Sequence, residues 1–239
     1  MGLFKKTIDL HFYTNLGYVH EFGSIQTNSF TKPKWFTKIL PQNYLGTSIP
    51  EKTLKRCPGV QDYYKKIIQM PLWSDLELEI GPKGSDFYKW TFSDKMSSCR
   101  VHNADSINNY RKSEEFQHLL LETPWVVKCN ENISFLVCQP LWHTFDFPTI
   151  SITQGILDFH TQSSCNAQAF ITRTNKKQNI LIPHGTPILE LMPLTDKKIQ
   201  VHNHILDELE YNKLKSYSPY TKFSGGYYYN KAFLKKNKN

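Results

Sequence analysis

Among the residues of this chain that can bind a metal, move a proton or hold a phosphate, spacing decides which could act together. Asp158 closes the run "QGILD" (154–158), three residues after Gly155 and behind an apolar strand pattern. A carboxylate there could act as a base toward a bound water within hydrogen-bond reach. Gly185 opens a second run, "GTPILEL", about thirty residues later. The stretch "VHNHILDE" carries His202, His204 and Glu208 at the H-x-H-x3-E spacing of a metal-binding set. On a helix, residues two apart point 200° from one another, so these histidines could share an ion only on a strand. The flanking pattern reads as helix, and no metal site is expected. His143, Asp146 and His160 have no distal partner in the sequence and read as loop or core side chains. Glu77 and Glu79 fall on one face of a strand pattern, which suits either acid–base work or a solvated surface. Gly-rich phosphate loops, G-x-S-x-G and H-E-x-x-H are absent from the sequence.

The elements that must position these residues are mostly short. In "TIDLHFYT", Ile8, Leu10 and Phe12 alternate with polar neighbours, the pattern of a half-buried strand. Val60, Tyr63, Tyr64, Ile67 and Ile68 share one face at 100° per residue, predicting a helix over 59–69 that Pro71 stops. Alternation at Leu76, Leu78 and Ile80, followed by "GPKG", predicts a hairpin over 73–92. From 117 to 194, five β-type runs are separated by Asn, Pro, Gly or charged turns, the spacing of a sandwich or barrel. Beyond Pro193 the pattern changes: Val201, Ile205, Leu206 and Leu209 fit within a 140° helical arc. The chain thus divides into a mixed segment (1–116), a β core (117–194), and a helix with a basic aromatic tail (195–239).

Composition narrows the function classes. Hydrophobic residues make up 39% of the chain and aromatics 14%, enough for a proper core rather than wholesale disorder. No stretch approaches 18 uncharged apolar residues and the N-terminus lacks a signal-peptide pattern, so neither membrane insertion nor secretion is expected. The five cysteines are widely spaced without a C-x-x-C pair, which points to reduced thiols. A net charge of +8 favours polyanions or acidic partners. Aromatic residues beside lysines in "KPKWF", "FYKW" and "YYYNKAF" could stack nucleobases next to phosphate-binding cations, which makes a nucleic-acid partner, held through the basic tail, one of the readings.

With "GILD" (Gly155 to Asp158), "GTPILEL" (Gly185 to Leu191) and the strand–turn–strand rhythm between them, residues 125–194 resemble the β-clip fold of the dUTPase and dCTP deaminase family. The resemblance implies a β-clip or sandwich-like core with flanking short helices, and trimeric self-association. It implies nucleotide binding at Gly155, Asp158 and Gly185, with Asp158 orienting the attacking water, and Mg2+ only if nucleotides are hydrolysed. Three positions depart from the family pattern. Thr161 stands where a stacking ring is expected, Pro187 replaces an arginine, and "VCQPLWHTFDFPT" lacks the Arg-Ser-Gly phosphate motif. Phosphoryl transfer draws its stabilisation from oriented cations and donors, so these departures remove what the chemistry needs.

Over residues 30–215 the order of "RCPGVQDYYKK", "PLWSDLEL", Trp125, Pro140 and the GILD and GTP runs is similar to an uncharacterised protein family of marine tailed phages. That resemblance implies a phage-encoded protein of the host cytoplasm or the virion. The combined expectation is a mainly β, non-enzymatic and cofactor-free virion component or partner-binding protein, contacting its partner through Trp142, Tyr227, Tyr228 and Tyr229. Its alternatives are a deoxynucleotide hydrolase using Asp158 and a nucleic-acid binder.

Overall fold

Alternating burial along Ile8, Leu10, Phe12 and Thr14 builds the first strand in the computed structural model, which describes residues 7–25, 34–43, 51–94, 97, 99–101, 114–140 and 147–216. In chain order the first elements are β1 (Ile8–Thr14), α1 (Gly17–Phe22), α2 (Lys34–Lys38), β2 (Gln42–Asn43) and β3 (Glu51–Lys52). A 3-10 turn (Leu54–Arg56) leads to α3 (Pro58–Lys66), β4 (Ile68–Pro71), β5 (Leu76–Ile80), β6 (Tyr88–Phe92) and β7 (Cys99–Val101). Then follow β8 (Phe116–Leu121), β9 (Val126–Cys129), β10 (Phe135–Cys138), β11 (Ile150–Ile152) and β12 (Gly155–Leu157). The last elements are β13 (Ala167–Thr172), β14 (Gln178–Ile182), β15 (Pro187–Pro193), β16 (Ile199–Ile205) and α4 (Glu208–Ser216). The protein is mainly β, with a few short helices.

Four sheets of three or four strands make the body, in the orders β16-β1-β9, β12-β10-β15-β4, β11-β13-β8-β7 and β14-β5-β6. Each includes strands from both sides of residue 116, and their inner faces join in one hydrophobic core. Leu10 and Phe12 of β1, Leu76 and Ile80 of β5, and Phe135 of β10 are fully buried there. Burial of each such side chain contributes about 1.5–3 kcal/mol. β15 lies between β10 and β4 and is buried continuously from Pro187 to Leu191, so both of its faces are covered. No helix among the described residues is long and apolar enough to cross a membrane.

Two stretches differ from the sequence expectation. The helix expected over 59–69 ends at Lys66, and Ile68–Pro71 leave it to pair with β15 as β4. The run after Pro193 is first a strand, and its helix begins only at Glu208. The reason is a long-range partner. β16 pairs parallel and in register with β1, from Ile8↔Ile199 to Thr14↔Ile205, which satisfies backbone groups that a helix would have satisfied locally.

Candidate functional site

The residues nominated for nucleotide handling lie on one sheet but not together. β10 pairs β12 on one side and β15 on the other, which places Leu157 and Pro193 at the same level, opposite Phe135. Asp158 therefore sits just beyond the Pro193 end of β15, whereas Gly185 precedes its opposite end. Eight residues of extended chain separate those levels, roughly 25 Å. Asp158 is half-buried, and its Oδ1 accepts the His160 backbone N–H at 2.9 Å. Its own carbonyl accepts the backbone N–H groups of Thr161 and Gln162. The carboxylate thus closes a turn of its own backbone. Gly185 holds φ at +79°, within a turn closed by the Thr186 N–H to the Pro183 carbonyl. A residue with a Cβ strains there, so the glycine serves the turn. Gly155 is exposed on β12.

Near the Gly185 end, Leu121, Phe147, Ile150, Ile152, Pro187 and Ile188 help to line a cavity of about 40 Å³. Ligand pockets for small molecules are nearer 300 Å³ or more, so this one suits no nucleotide. Glu79 is engaged by Lys177 and Lys89, and the bond from Lys177 is the main cause that holds its carboxyl below the usual range. Beside it, Phe87 and Tyr88 are 46% and 37% exposed. The Tyr88 and Trp90 rings stack 7° from parallel at 5.8 Å, and Lys177 Nζ lies 5.2 Å from the Phe87 ring centre. Trp142, Tyr227, Tyr228 and Tyr229, with His143 and Asp146, lie outside the described residues.

Among the described residues, titratable groups gather where sequence spacing pointed away from a cluster. Because β16 is a strand, His202 and His204 project from the same face. The in-register pairing with β1 sets His11 opposite His202 and Tyr13 opposite His204. On the other side of β1, Lys128 of β9 lies opposite His11. His11 Nδ1 and His204 Nε2 are 3.0 Å apart, and His202 Nε2 is 2.9 Å from Asp9 Oδ1. The rings form a ladder, with Tyr13 and His204 at 4.7 Å and His11 and His202 at 4.9 Å between centres.

A bond between two imidazole nitrogens requires one to donate and the other to accept, so this pair cannot hold a proton on both facing nitrogens. Burial lowers the pKa of His11, and His202 lowers it further, against an opposing pull from Asp9. Burial also lowers His204, with His11, His202 and His20 adding to the effect. Lys128 is pulled down by burial and Tyr13 is pushed up by it. Neutral imidazoles at neutral pH are what a proton acceptor or a metal requires. Among the described residues, no three His, Cys, Asp or Glu side chains already converge on one point suited to an ion. His11 was absent from the sequence reading. The alternation of Asp9, His11 and Tyr13 in "IDLHFYT" is the signal for it, once paired with a strand reading of "VHNH".

The chain matches no known family model, no curated protein and no solved structure.

Proposed function

We propose that the protein is a phage-encoded, non-enzymatic binding protein that serves as a virion component or holds a host or viral partner, and that it associates with itself. The observation that carries this reading is the exposed strand β12. Of the residues nominated for nucleotide chemistry, Gly155 lies on this sheet edge, which has a neighbour on one side only among the described residues and leaves Ile156 61% exposed. An open edge presents backbone donors and acceptors to an added strand, and an exposed apolar side chain contributes area and register. Short edges resist indiscriminate pairing, which suits a specific partner. Asp158 supports the same reading, since its carboxylate is engaged in its own turn.

Sedimentation of the full chain should show concentration-dependent assembly, and Ile156→Lys should shift it to monomer. A monomeric wild type that binds deoxynucleotides, with binding lost in Asp158→Ala, would overturn the proposal in favour of the nucleotide-hydrolase alternative.

A second reading, binding of single-stranded nucleic acid, is favoured by the exposed Phe87 ring, which shares a sheet face with Lys89 and has Lys177 Nζ 5.2 Å from its centre. Rings offer every base a stacking face while lysines meet the phosphates. On that reading, retention on single-stranded DNA falls steeply with salt and weakens several-fold in Phe87→Ala. Salt-independent retention would remove it.

A further inference from the structure

We propose that the β1–β16 face is a binding site for a divalent transition ion such as Zn2+, held by His11 Nδ1, His204 Nε2 and His202 Nδ1, with Asp9 as the carboxylate that orients His202. Zinc bonds imidazole nitrogen at about 2.0–2.1 Å in tetrahedral geometry, which places the facing nitrogens about 3.3 Å apart. The His11 and His204 nitrogens, at 3.0 Å, need to open by only a few tenths of an ångström. The same geometry sets ring centres about 5.2 Å from one another. The pairs His11–His204 and His11–His202 lie at 5.2 and 4.9 Å, and His202–His204 at 6.4 Å. Two of the three ring-centre spacings thus lie close to that value, and binding closes the third by about 1 Å while the stacked His202 ring turns its Nδ1 toward the ion. Among the described residues, the three imidazoles do not already converge on one point.

His202 need not leave Asp9 to bind. Its Nε2 faces the carboxylate, which leaves Nδ1 for the ion. A carboxylate on the second nitrogen of a ligating imidazole fixes its ring and raises its basicity, an arrangement that recurs at zinc sites. The ligands come from two strands already locked in register, so little chain order remains to be created on binding. Imidazole without thiolate selects zinc, copper or nickel over the hard cations magnesium and calcium. The row is only half-buried, which leaves a coordination position open to water or to an anionic ligand.

The test uses the full chain, stripped with chelator, in titrations with Zn2+ by calorimetry and with Co2+ by visible absorption. One ion per chain is expected, with micromolar affinity and the strong visible bands of four-coordinate cobalt. His11→Gln and His204→Gln should each weaken binding at least tenfold, and His202→Gln and Asp9→Asn by about tenfold. His184→Gln, at an exposed histidine elsewhere, should leave affinity unchanged. Circular dichroism and thermal midpoints in chelator establish that each variant folds. Because His11 and His204 stand on different strands, one folded variant of the two suffices. Wild-type affinity in that variant, or equal loss in His184→Gln, would overturn the site. An unchanged His202→Gln would overturn the three-imidazole assignment.

Discussion

Glu190 is fully buried on β15, with its two oxygens accepting from Tyr63 Oη at 2.5 Å and Gln69 Nε2 at 2.9 Å. Burial raises its pKa, only partly opposed by those two donors. The folded state therefore holds this proton more tightly than the unfolded chain. The group's contribution is complete below the unfolded value, about 4.5, and is lost as pH rises through the folded one. A glutamine fits the same network: its oxygen accepts from Gln69 and its amide donates to the Tyr63 hydroxyl. Glu190→Gln should thus raise stability at pH 7 by about 1 kcal/mol or more, with the gain vanishing toward pH 4. Urea unfolding of both proteins across pH 4–8 measures the difference, and a gain that stays constant with pH would refute the assignment. Glu190→Ala should instead cost about 2–4 kcal/mol, because it removes the acceptor of a buried amide and a half-buried hydroxyl and opens a cavity. Sequence reading passed over this acid and chose Asp158, Glu77 and Glu79. In "PILELMP" an alternating strand would turn Glu190 toward water, and only the neighbouring β10 and β4, with cover on both faces, make it internal.

Elements are held together here by side chains reaching between sheets, and Arg173 is the clearest case. It follows β13, and its Nη1 donates to the carbonyls of Gly81 and Phe87, at the two ends of the β5–β6 connection, each at 3.1 Å. Its Nη2 donates to Gln117 Oε1 on β8 at 2.7 Å. Burial lowers its pKa, with Asp86 opposing. Removing such a group leaves buried acceptors without their donor, so Arg173→Met should cost about 2–4 kcal/mol. Hydrogen exchange of the β6 amides should accelerate while β1 stays protected. Uniform acceleration would mean that the clamp is not local. Alternation at Leu76, Leu78 and Ile80 made this hairpin legible from sequence, because its partner strand is near in the chain. The strand at 199–205 was not legible. Val201, Ile205 and Leu206 satisfy a helical arc on their own, and the competing strand depends on β1, some 190 residues away. Histidine chemistry was lost with it, since only the strand puts His202 and His204 on one face beside His11.

At the scale of the molecule, the parallel β1–β16 pair joins the two ends of the described chain and closes the core over Ile8, Leu10 and Phe12. Parallel pairing at this separation forms only after much of the loop-closure entropy has been overcome, so it belongs to the late steps of folding. α4 adds Tyr211, which is buried and donates its hydroxyl to the Pro124 carbonyl next to β9. A chain ending at Lys198 loses the burial of Ile199, Val201 and Tyr211, about 5 kcal/mol at 1.5–3 kcal/mol for a full side chain and less for the half-buried valine. It also leaves β1 with an open edge. That loss is comparable to the whole stability of an ordinary domain, roughly 5–15 kcal/mol. The truncated chain should therefore lack a cooperative thermal transition, and a synthetic peptide of residues 199–216 added in excess should restore one by refilling the edge of β1. The same peptide carrying Val201→Asp should fail, because Val201 packs against the core. Cooperative unfolding of the truncated chain alone would show that the β10, β13 and β5 sheets hold the core without their parallel closure.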